Sequence, residues 1–224
     1  MTSLPTLFLS DFRMIGYVFS KRFMMKVYFA PRSRAVRTVW LLEEIYQPYE
    51  LIKFTLGQKE MRGPEYTAIN PNGRVPTLVD GGVIISESTA IAQYLGAKFA
   101  SHLTPTLAES NFPEYLQWLH YGEGMIMPPI NNYVVETILL PPERRNEQLA
   151  MRALKLLNRT LIAAEQHMEG KQYLAGQFTI ADTITGHAII MARRLGADFA
   201  ILPNLTSYAD RLEARPAFQA ADTA

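Results

Sequence analysis

The chain of 224 residues contains no cysteine. This absence excludes a disulfide framework, a metal site built from thiolates and a cysteine nucleophile supplied by the protein itself. If the chemistry involves sulfur, the sulfur therefore belongs to a ligand.

The chain also lacks an excess of charge of either sign. Its 22 Lys and Arg residues against 21 Asp and Glu residues give a formal net charge of +1. Recognition of a phosphate backbone or an anionic membrane depends on clustered positive charge, so we expect neither nucleic acid nor a membrane as a partner. The four histidines form no close helical pair, and we expect no metal site.

Long hydrophobic runs are missing too, although residues 1–24 contain apolar stretches. Asp11 and Arg13 interrupt these stretches, and no run approaches the roughly 20 apolar residues that span a bilayer. No A-x-A-like cleavage site follows them, and we expect a cytoplasmic protein. Regular patterning begins only at Met25, so residues 1–24 are an upstream extension, a mobile tail or translation from too early a start.

What the chain does have is a 48% hydrophobic content and two regions of different pattern. Residues 25–104 predict strands at 25–29, 49–54, 75–80 and 83–85, with helices at 34–45 and 88–99. Gly81 and Gly82 predict a hairpin between the last two strands. This order favours a small mixed α/β sheet covered by helices.

Residues 110–224 predict an all-α second domain. A helix runs from residue 112 toward 127, where Pro128 and Pro129 are expected to kink or break it. Thr179 and Asp182 have the spacing of a capping box at the start of another helix, which gives Asp182 a structural role. A long helix between them carries a predicted apolar face formed by Leu149, Ala153, Leu156, Leu157 and Leu161.

Three segments of the first region carry a family resemblance: residues 28–34 (YFAPRSR), 70–76 (NPNGRVP) and 87–91 (ESTAI). In this order, and with residues 178–182 (FTIAD) and 215–218 (RPAF) in the helical region, the chain resembles the soluble glutathione transferase family, particularly its bacterial members. The resemblance implies a thioredoxin-like N-terminal domain, an all-α C-terminal domain and a homodimer. It also implies glutathione as co-substrate, no tightly bound cofactor and a role in detoxification.

Glutathione presents a peptide backbone, a thiol and a glutamyl end with both an ammonium and a carboxylate. The resemblance implies a cis bond before Pro76 and pairing of the Val75 main chain with the ligand backbone. Glu87 and Ser88 precede a helix, so Glu87 is expected to accept from the ammonium and Ser88 to donate to the carboxylate. The alternatives are that Val75 and Pro76 only begin a strand and that Ser88 only caps the helix. Arg74 is expected near the glycyl carboxylate, or else lies exposed in its loop.

Activation of the thiol has two candidate side chains. Ser33 stands at the expected start of the first helix and can donate to a thiolate, or it only caps that helix. Tyr28 matches the tyrosine of tyrosine-using classes, or it is an ordinary strand residue. Backbone groups and Arg34 are the remaining candidates. The catalytic serine of serine-using classes aligns with Ala30, where this sequence departs from the family.

The second substrate is expected to be an apolar electrophile against the helical domain. Trp118, Tyr121 and Met125, together with Met127, either line its pocket or belong to the core between the domains. We therefore predict a glutathione S-transferase. A glutathione-dependent disulfide reductase or peroxidase, or a non-catalytic ligand-binding member of the fold, are the alternatives.

Overall fold

The computed structural model describes residues 24–224. The expectations for the leader at residues 1–24 thus fall outside the described residues except at Met24. Within the described range, no helix combines the length and the apolar character needed to cross a membrane.

The N-terminal half is built on a four-stranded mixed sheet. Its strands are β1 (Met25–Phe29), β2 (Tyr49–Lys53), β3 (Thr77–Asp80) and β4 (Val83–Ser86), in the spatial order β2-β1-β3-β4. β2 runs parallel to β1, whereas β3 is antiparallel to both β1 and β4. Asp80 pairs with Val83 across a two-residue turn, and Gly81 has a φ of 61°, which glycine adopts without strain. The predicted hairpin and mixed sheet are confirmed.

Three helices accompany this sheet: α1 (Ala35–Glu44), α2 (Pro64–Thr67) and α3 (Ser88–Phe99). Eight of the ten residues of α1 are buried, Arg37 and Thr38 among them. The helix is buried on nearly every side because α3 and the sheet pack on it from one direction and the C-terminal helices from the other. The predicted amphipathic helix is therefore an internal one, and its polar side chains need internal partners.

The C-terminal half is helical, as predicted. It contains α4 (Phe112–Tyr121), α5 (Met127–Val134), α6 (Glu147–His167), α7 (His187–Arg194), α8 (Pro203–Glu213) and α9 (Pro216–Asp222). Short π-helical segments cover Gly122–Ile126, Val135–Leu139 and Asp182–Gly186.

Of the kink or break predicted at Pro128 and Pro129, the break is wrong. The chain continues from α4 through the π segment into α5, and the prolines occupy the first turn after that segment. The Met127 N–H closes the wide π turn by bonding to the Gly122 carbonyl. Proline fits the start of the following α segment, where a missing N–H costs little.

The apolar face predicted for α6 is correct only in part. Ala153, Leu157 and Leu161 are buried, but Leu149 is 49% exposed and Leu156 is 51% exposed. The side chains that complete the buried stripe are small, Ala150 and Ala164 being examples. A prediction based only on the large apolar residues therefore places the buried face of α6 too close to its solvent-exposed side.

Two contacts near the C-terminus join the halves of the chain. Arg215 donates to both carboxylate oxygens of Glu44, with Nε–Oε1 at 2.6 Å and Nη2–Oε2 at 2.7 Å. The Trp40 ring of α1 packs edge-on against Phe218 of α9 at 4.9 Å between centroids. A bidentate pair above an aromatic contact fixes α9 against α1.

Asp182 has the structural role predicted from the capping box. Its carboxylate accepts from the Thr179 N–H at 2.8 Å and from the Leu174 N–H at 3.0 Å. Tyr208 of α8 donates its hydroxyl to the same group at 2.8 Å. Burial raises the pKa of Asp182 to about 6 against these hydrogen bonds.

Gly122 lies where the first π segment meets the third one. A Cβ at this position would be 2.8 Å from the Thr185 Oγ1 atom and 2.9 Å from its Cα, so backbone would have to move. We expect Gly122→Ala to lower the free energy of unfolding by about 1–3 kcal/mol, as overpacking does. Gly124→Ala is the matched control, because the same segment leaves open space at Gly124 and alanine favours helix there. Urea denaturation of both variants checks this, and equal effects would contradict it.

Candidate functional site

Two adjoining cavities lie where the sheet domain meets the helical domain. The smaller has a volume of about 180 Å³ and the larger about 370 Å³. Both are lined by Arg34, Arg74, Val75 and Asn131, so these residues form their common wall. A ligand in the smaller cavity can therefore extend into the larger one beside Val75.

The loop before β3 presents Val75 to both cavities. The Asn70 amide and the Tyr66 hydroxyl donate to the Arg74 carbonyl at 2.8 and 2.5 Å, which holds the loop in place. The bond between Val75 and Pro76 is cis, as the resemblance implies. Among residues 24–224, no group bonds to the Val75 N–H or C=O. The main chain of Val75 is therefore available to a ligand.

Glu87 and Ser88 line the smaller cavity at the start of α3. Glu87 occupies the N-cap position with a φ of 76°, and no side chain caps this end of the helix. The alternative that Ser88 is the helix cap is therefore wrong, because Ser88 is already the first helical residue. The first N–H groups of α3 and its dipole instead favour an anion at this point.

The Ser88 hydroxyl is oriented by Arg37 of α1. Arg37 Nη1 donates to Ser88 Oγ at 3.1 Å, which leaves the hydroxyl hydrogen of Ser88 to donate elsewhere. The same guanidinium donates to Glu123 of the first π segment. Arg34 Nε also donates to Glu123, at 3.0 Å to each carboxylate oxygen. One carboxylate of the helical domain thus binds Arg37 of α1 and Arg34 at the N-cap of that helix.

Burial and the neighbouring charges together determine the pKa values in this cluster. Burial would raise the pKa of Glu123, but the charges of Arg37 and Arg34 outweigh it and hold that pKa below its ordinary value. Burial lowers the pKa of Arg37, which is 1% exposed, and the Glu123 carboxylate opposes the change. An ionised Glu123 is therefore the counter-ion of a buried guanidinium.

His187 completes the cluster on the side of the larger cavity. Arg37 Nε donates to His187 Nδ1 at 3.2 Å, so the ring presents a lone pair to the guanidinium. Burial, followed by the positive charges of Arg37, Arg194 and Arg34, holds the pKa of His187 well below its ordinary value. The imidazole is neutral at pH 7.

Sequence analysis did not predict four residues of this site: Arg37, Glu123, Asn131 and His187. Their partners are far away along the chain, 86 residues in the case of Arg37 and Glu123. One local signal existed for Glu123, which stands between Gly122 and Gly124 and is the only charged residue of its π segment.

The two candidates for thiol activation occupy different places. Ser33 lines the larger cavity, donates its hydroxyl to the Ala30 carbonyl at 2.7 Å and accepts from the Ala35 N–H at 3.1 Å. Tyr28 lines neither cavity, because its ring packs against Tyr66 and Phe54 at centroid distances of 4.9 and 6.2 Å. Only Ser33 of these two lies where a ligand thiol can reach it.

Of the four residues expected to hold the electrophile, the structure places only Met127 on the wall of a cavity. Trp118, Tyr121 and Met125 line neither cavity. Trp118 is 3% exposed and stacks on His167 at 4.1 Å, and the Tyr121 hydroxyl bonds to the Thr160 carbonyl. This face of α4 packs against α6, so Trp118 and Tyr121 belong to the core, whereas Met125 is 50% exposed. The larger cavity is instead walled by side chains of the next helices: Met127, Ile130, Val134, Leu139 and Met191.

A small mixed sheet with a ligand cleft, followed by an all-helical domain, defines a thioredoxin-like two-domain protein. The chain matches the family model "Glutathione S-transferase, N-terminal domain" over residues 24–97 and "Glutathione S-transferase, C-terminal domain" over residues 126–216. The chain therefore belongs to the glutathione transferase family and is a glutathione transferase enzyme.

Two curated relatives illustrate the range of this family. Glutathione S-transferase 3 of Zea mays is 30% identical over 87% of this chain and 91% of its own length. Disulfide-bond oxidoreductase YfcG of Escherichia coli is 31% identical over 87% and 92%, respectively. Among solved structures, the theta class glutathione S-transferase of Xanthomonas axonopodis pv. citri with glutathione bound has a TM-score of 0.81 and 27% identity. That match covers 90% of this chain and 98% of the other.

The neutral state of His187 predicts a pH dependence of stability. Below pH 6.5 the unfolded chain binds a proton at this histidine while the folded protein does not, so stability falls as the pH falls. The loss is at most about 1.4 kcal/mol for each pH unit. We expect His187→Gln, which keeps an acceptor for Arg37, to show a shallower decline of melting temperature from pH 7 to 5. The exposed His120→Gln substitution should retain the original slope, and identical slopes in all three proteins would refute the assignment.

Proposed function

We propose that this protein binds glutathione in the smaller cavity and transfers it to an apolar electrophile in the larger one. The observation that carries the proposal is the composition of the smaller cavity. It combines an unpaired main chain at Val75, a carboxylate at Glu87 and a helix start with a donor at Ser88. These are the three partners that a glutamyl-cysteinyl peptide needs.

Each part of glutathione then has a counterpart. The glutamyl carboxylate accepts from the Ser88 hydroxyl and the first N–H groups of α3, and the ammonium donates to Glu87. The cysteinyl backbone pairs with Val75, and the glycyl carboxylate lies near Arg74. The thiol points past Val75 into the larger cavity, toward Ser33 at the start of α1.

The chemistry requires a thiolate, because a free cysteine thiol with a pKa of about 8.5 is mostly protonated at neutral pH. Ser33 donates its hydroxyl to the sulfur after releasing the Ala30 carbonyl. The N–H groups of Ser33 and Arg34, which have no partner among the described residues, add further donors. The thiolate attacks an electrophilic carbon, a carbon–sulfur bond forms, and the leaving group departs.

The larger cavity suits an apolar acceptor. The helical domain supplies Met127, Ile130 and Val134, while Leu56 and Leu139 at its edge are about half exposed, at 52% and 62%. Exposed apolar side chains at a cavity edge favour an apolar ligand over water. We propose further that the protein is a cytoplasmic homodimer with domains at residues 25–104 and 110–224.

A second candidate function is glutathione-dependent disulfide reduction. The relative named disulfide-bond oxidoreductase supports it, since it is 31% identical to this chain, against 30% for the transferase of Zea mays. The same tripeptide cavity would serve, and the second substrate would be a disulfide or a peroxide. A non-catalytic ligand carrier remains the third reading, because Ala30 replaces the expected serine.

One set of assays separates these functions. We expect purified protein to bind glutathione in calorimetry, to turn over 1-chloro-2,4-dinitrobenzene and to leave a mixed disulfide unchanged. Reaction with the disulfide alone would establish the reductase. Binding of glutathione without either reaction would leave the carrier, and no binding at millimolar glutathione would refute the whole assignment.

Ser33→Ala tests the thiolate donor. We expect turnover at neutral pH to fall about tenfold or more, because the pKa of the bound thiol rises by at least about one unit, or 1.4 kcal/mol. Glutathione affinity should change little, since Val75 and Ser88 hold the peptide. The ultraviolet absorbance of the bound thiolate against pH measures that pKa directly. Tyr28→Phe is the control, and a loss of turnover in this variant instead would transfer the role to Tyr28.

A further inference from the structure

His187 offers one ring nitrogen to the protein and the other to the larger cavity. The side chain is 3% exposed and lines that cavity. Its Nδ1 accepts from Arg37 Nε at 3.2 Å, whereas Nε2 has no hydrogen-bond partner within residues 24–224. Nε2 is not one of the fully buried side-chain atoms without a partner, which in the same range are Arg37 Nη2, Thr38 Oγ1 and Thr89 Oγ1. Because the rest of the ring is buried in protein, Nε2 opens onto the larger cavity.

The tautomer of His187 follows from its contact with Arg37. A guanidinium can only donate, so Nδ1 is the acceptor and a neutral ring carries its proton on Nε2. Burial, followed by the charges of three arginines, holds the pKa of His187 well below its ordinary value, which keeps the ring neutral. His187 therefore presents a fixed N–H donor to the larger cavity.

The surroundings of this donor favour an acceptor that belongs to a ligand. The positive charge of Arg37 at Nδ1 polarises the ring, and hydrogen bonds in such a chain strengthen one another. A donor that is nearly buried and unpaired costs free energy until an acceptor reaches it. The cavity wall at Met191, one helical turn after His187, is apolar, as it is at Ile130 of α5. These neighbours offer the N–H no acceptor of their own.

The donor and the proposed thiolate share one cavity. Ser33, toward which the thiol points in the proposed function, lines the larger cavity together with His187. Arg37, which fixes the ring of His187, follows Ser33 by four residues, or about one helical turn. A cavity of about 370 Å³ has the size of a site for a small molecule. Such a molecule can contact the thiolate with its reactive carbon and Nε2 with an oxygen.

We infer that His187 is a catalytic residue for the second substrate, donating from Nε2 to a substrate oxygen that gains negative charge as the thiolate attacks. The substrate class is an apolar electrophile in which a carbonyl group is conjugated with the attacked carbon. The inference rests on the proposed function and names a residue and a substrate class for that same site.

The reaction is then an addition. The sulfur forms a bond to the β-carbon of the substrate, and the electron pair of the carbon–carbon double bond moves toward the carbonyl. The carbonyl oxygen becomes an enolate oxygen, to which the bond from the Nε2–H strengthens. Solvent gives a proton to the α-carbon, which replaces the thiol proton that was released when the thiolate formed. His187 keeps its own proton throughout.

Two probes distinguish this role from general reactivity. The carbonyl oxygen of trans-4-phenyl-3-buten-2-one gains charge, whereas benzyl chloride loses chloride and has no oxygen. Each kcat/KM is divided by the rate constant with free glutathione thiolate, and the ratio of enone to chloride is taken. Asparagine keeps an acceptor for Arg37 near the Nδ1 position and removes the donor at Nε2. In His187→Asn we expect the ratio to fall about tenfold to a hundredfold, the range for a hydrogen bond to a charged group.

Two further variants serve as controls. His187→Gln has a longer amide that supplies both an acceptor and an N–H, so it should retain a larger ratio than His187→Asn. His120→Asn on the exposed surface of α4 should keep the original ratio. An unchanged ratio in His187→Asn would overturn the inference, and so would turnover of benzyl chloride alone. Equal loss with both probes would overturn it too, and a higher pKa of the bound thiol would then show that His187 serves the thiolate.

A binding measurement detects the hydrogen bond without turnover. 4-Phenyl-2-butanone is the saturated, unreactive form of the enone and can carry ¹³C at its carbonyl. A hydrogen bond moves the ¹³C resonance of a carbonyl downfield. With protein saturated in glutathione, we expect the bound ketone to resonate further downfield in the original protein and in His120→Asn than in His187→Asn. Equal positions of the resonance in all three proteins would overturn the inference.

Together the two measurements separate this inference from the proposed function. A downfield shift that is lost in His187→Asn, with no turnover of either probe, would support the donor and refute the transferase. Turnover of both probes with equal carbonyl resonances would do the reverse. If the enone alone is turned over, loss of its kcat/KM in His187→Asn but not in His120→Asn supports the inference, and retention in both overturns it.

Discussion

The ion pair of Glu123 with Arg34 and Arg37 is the interaction on which the ligand site depends. Arg37 is buried, and an uncompensated buried charge costs about 3–5 kcal/mol when its partner is removed. Because Arg37 also donates to Ser88, the carboxylate of the helical domain fixes the position of the hydroxyl that lines the smaller cavity at the start of α3. The smaller cavity lies mainly on the first domain, yet Glu123 of the second domain helps to set its geometry. Loss of Glu123 would therefore weaken both the domain contact and the ligand site.

The π segment at Gly122–Ile126 explains how Glu123 comes to this position. One extra residue in a turn rotates the following residues by about 100° relative to an α-helix of 3.6 residues per turn. Gly122 allows close approach to Thr185, whose hydroxyl accepts from the Gly122 N–H at 2.8 Å. The same segment ends at Ile126, so the two prolines occupy the first turn of the α-helical part that follows it. The π segment thus accounts for both the inward position of Glu123 and the apolar wall that α5 forms.

The sequence was sufficient for features that depend on neighbours along the chain. Alternation and turn chemistry predicted the hairpin at Gly81, and the capping box predicted the role of Asp182. Glu87 and Ser88, whose segment has a family pattern as well as a local one, both line the smaller cavity. Arg37 and His187 were missed because a charged residue in a helix is usually solvated, and only the tertiary structure shows that α1 is buried on nearly every side. The prediction for Trp118 was wrong for a related reason. The sequence pattern of an apolar helix face is the same whether that face lines a cavity or packs against another helix.

Backbone conformation gives a separate indication that side chains matter at this site. Three described residues other than glycine have positive φ values, namely Arg32 at 58°, Tyr46 at 52° and Glu87 at 76°. Tyr46 follows the end of α1, where such a conformation commonly terminates a helix. Arg32 and Glu87 have no such explanation, and each adopts a conformation that glycine adopts at less cost, by about 1–2 kcal/mol. Arg32 lines the larger cavity and Glu87 the smaller one. The strained residues place a guanidinium in one cavity and a carboxylate in the other. Glycine would avoid the backbone strain at both positions but would supply neither charge.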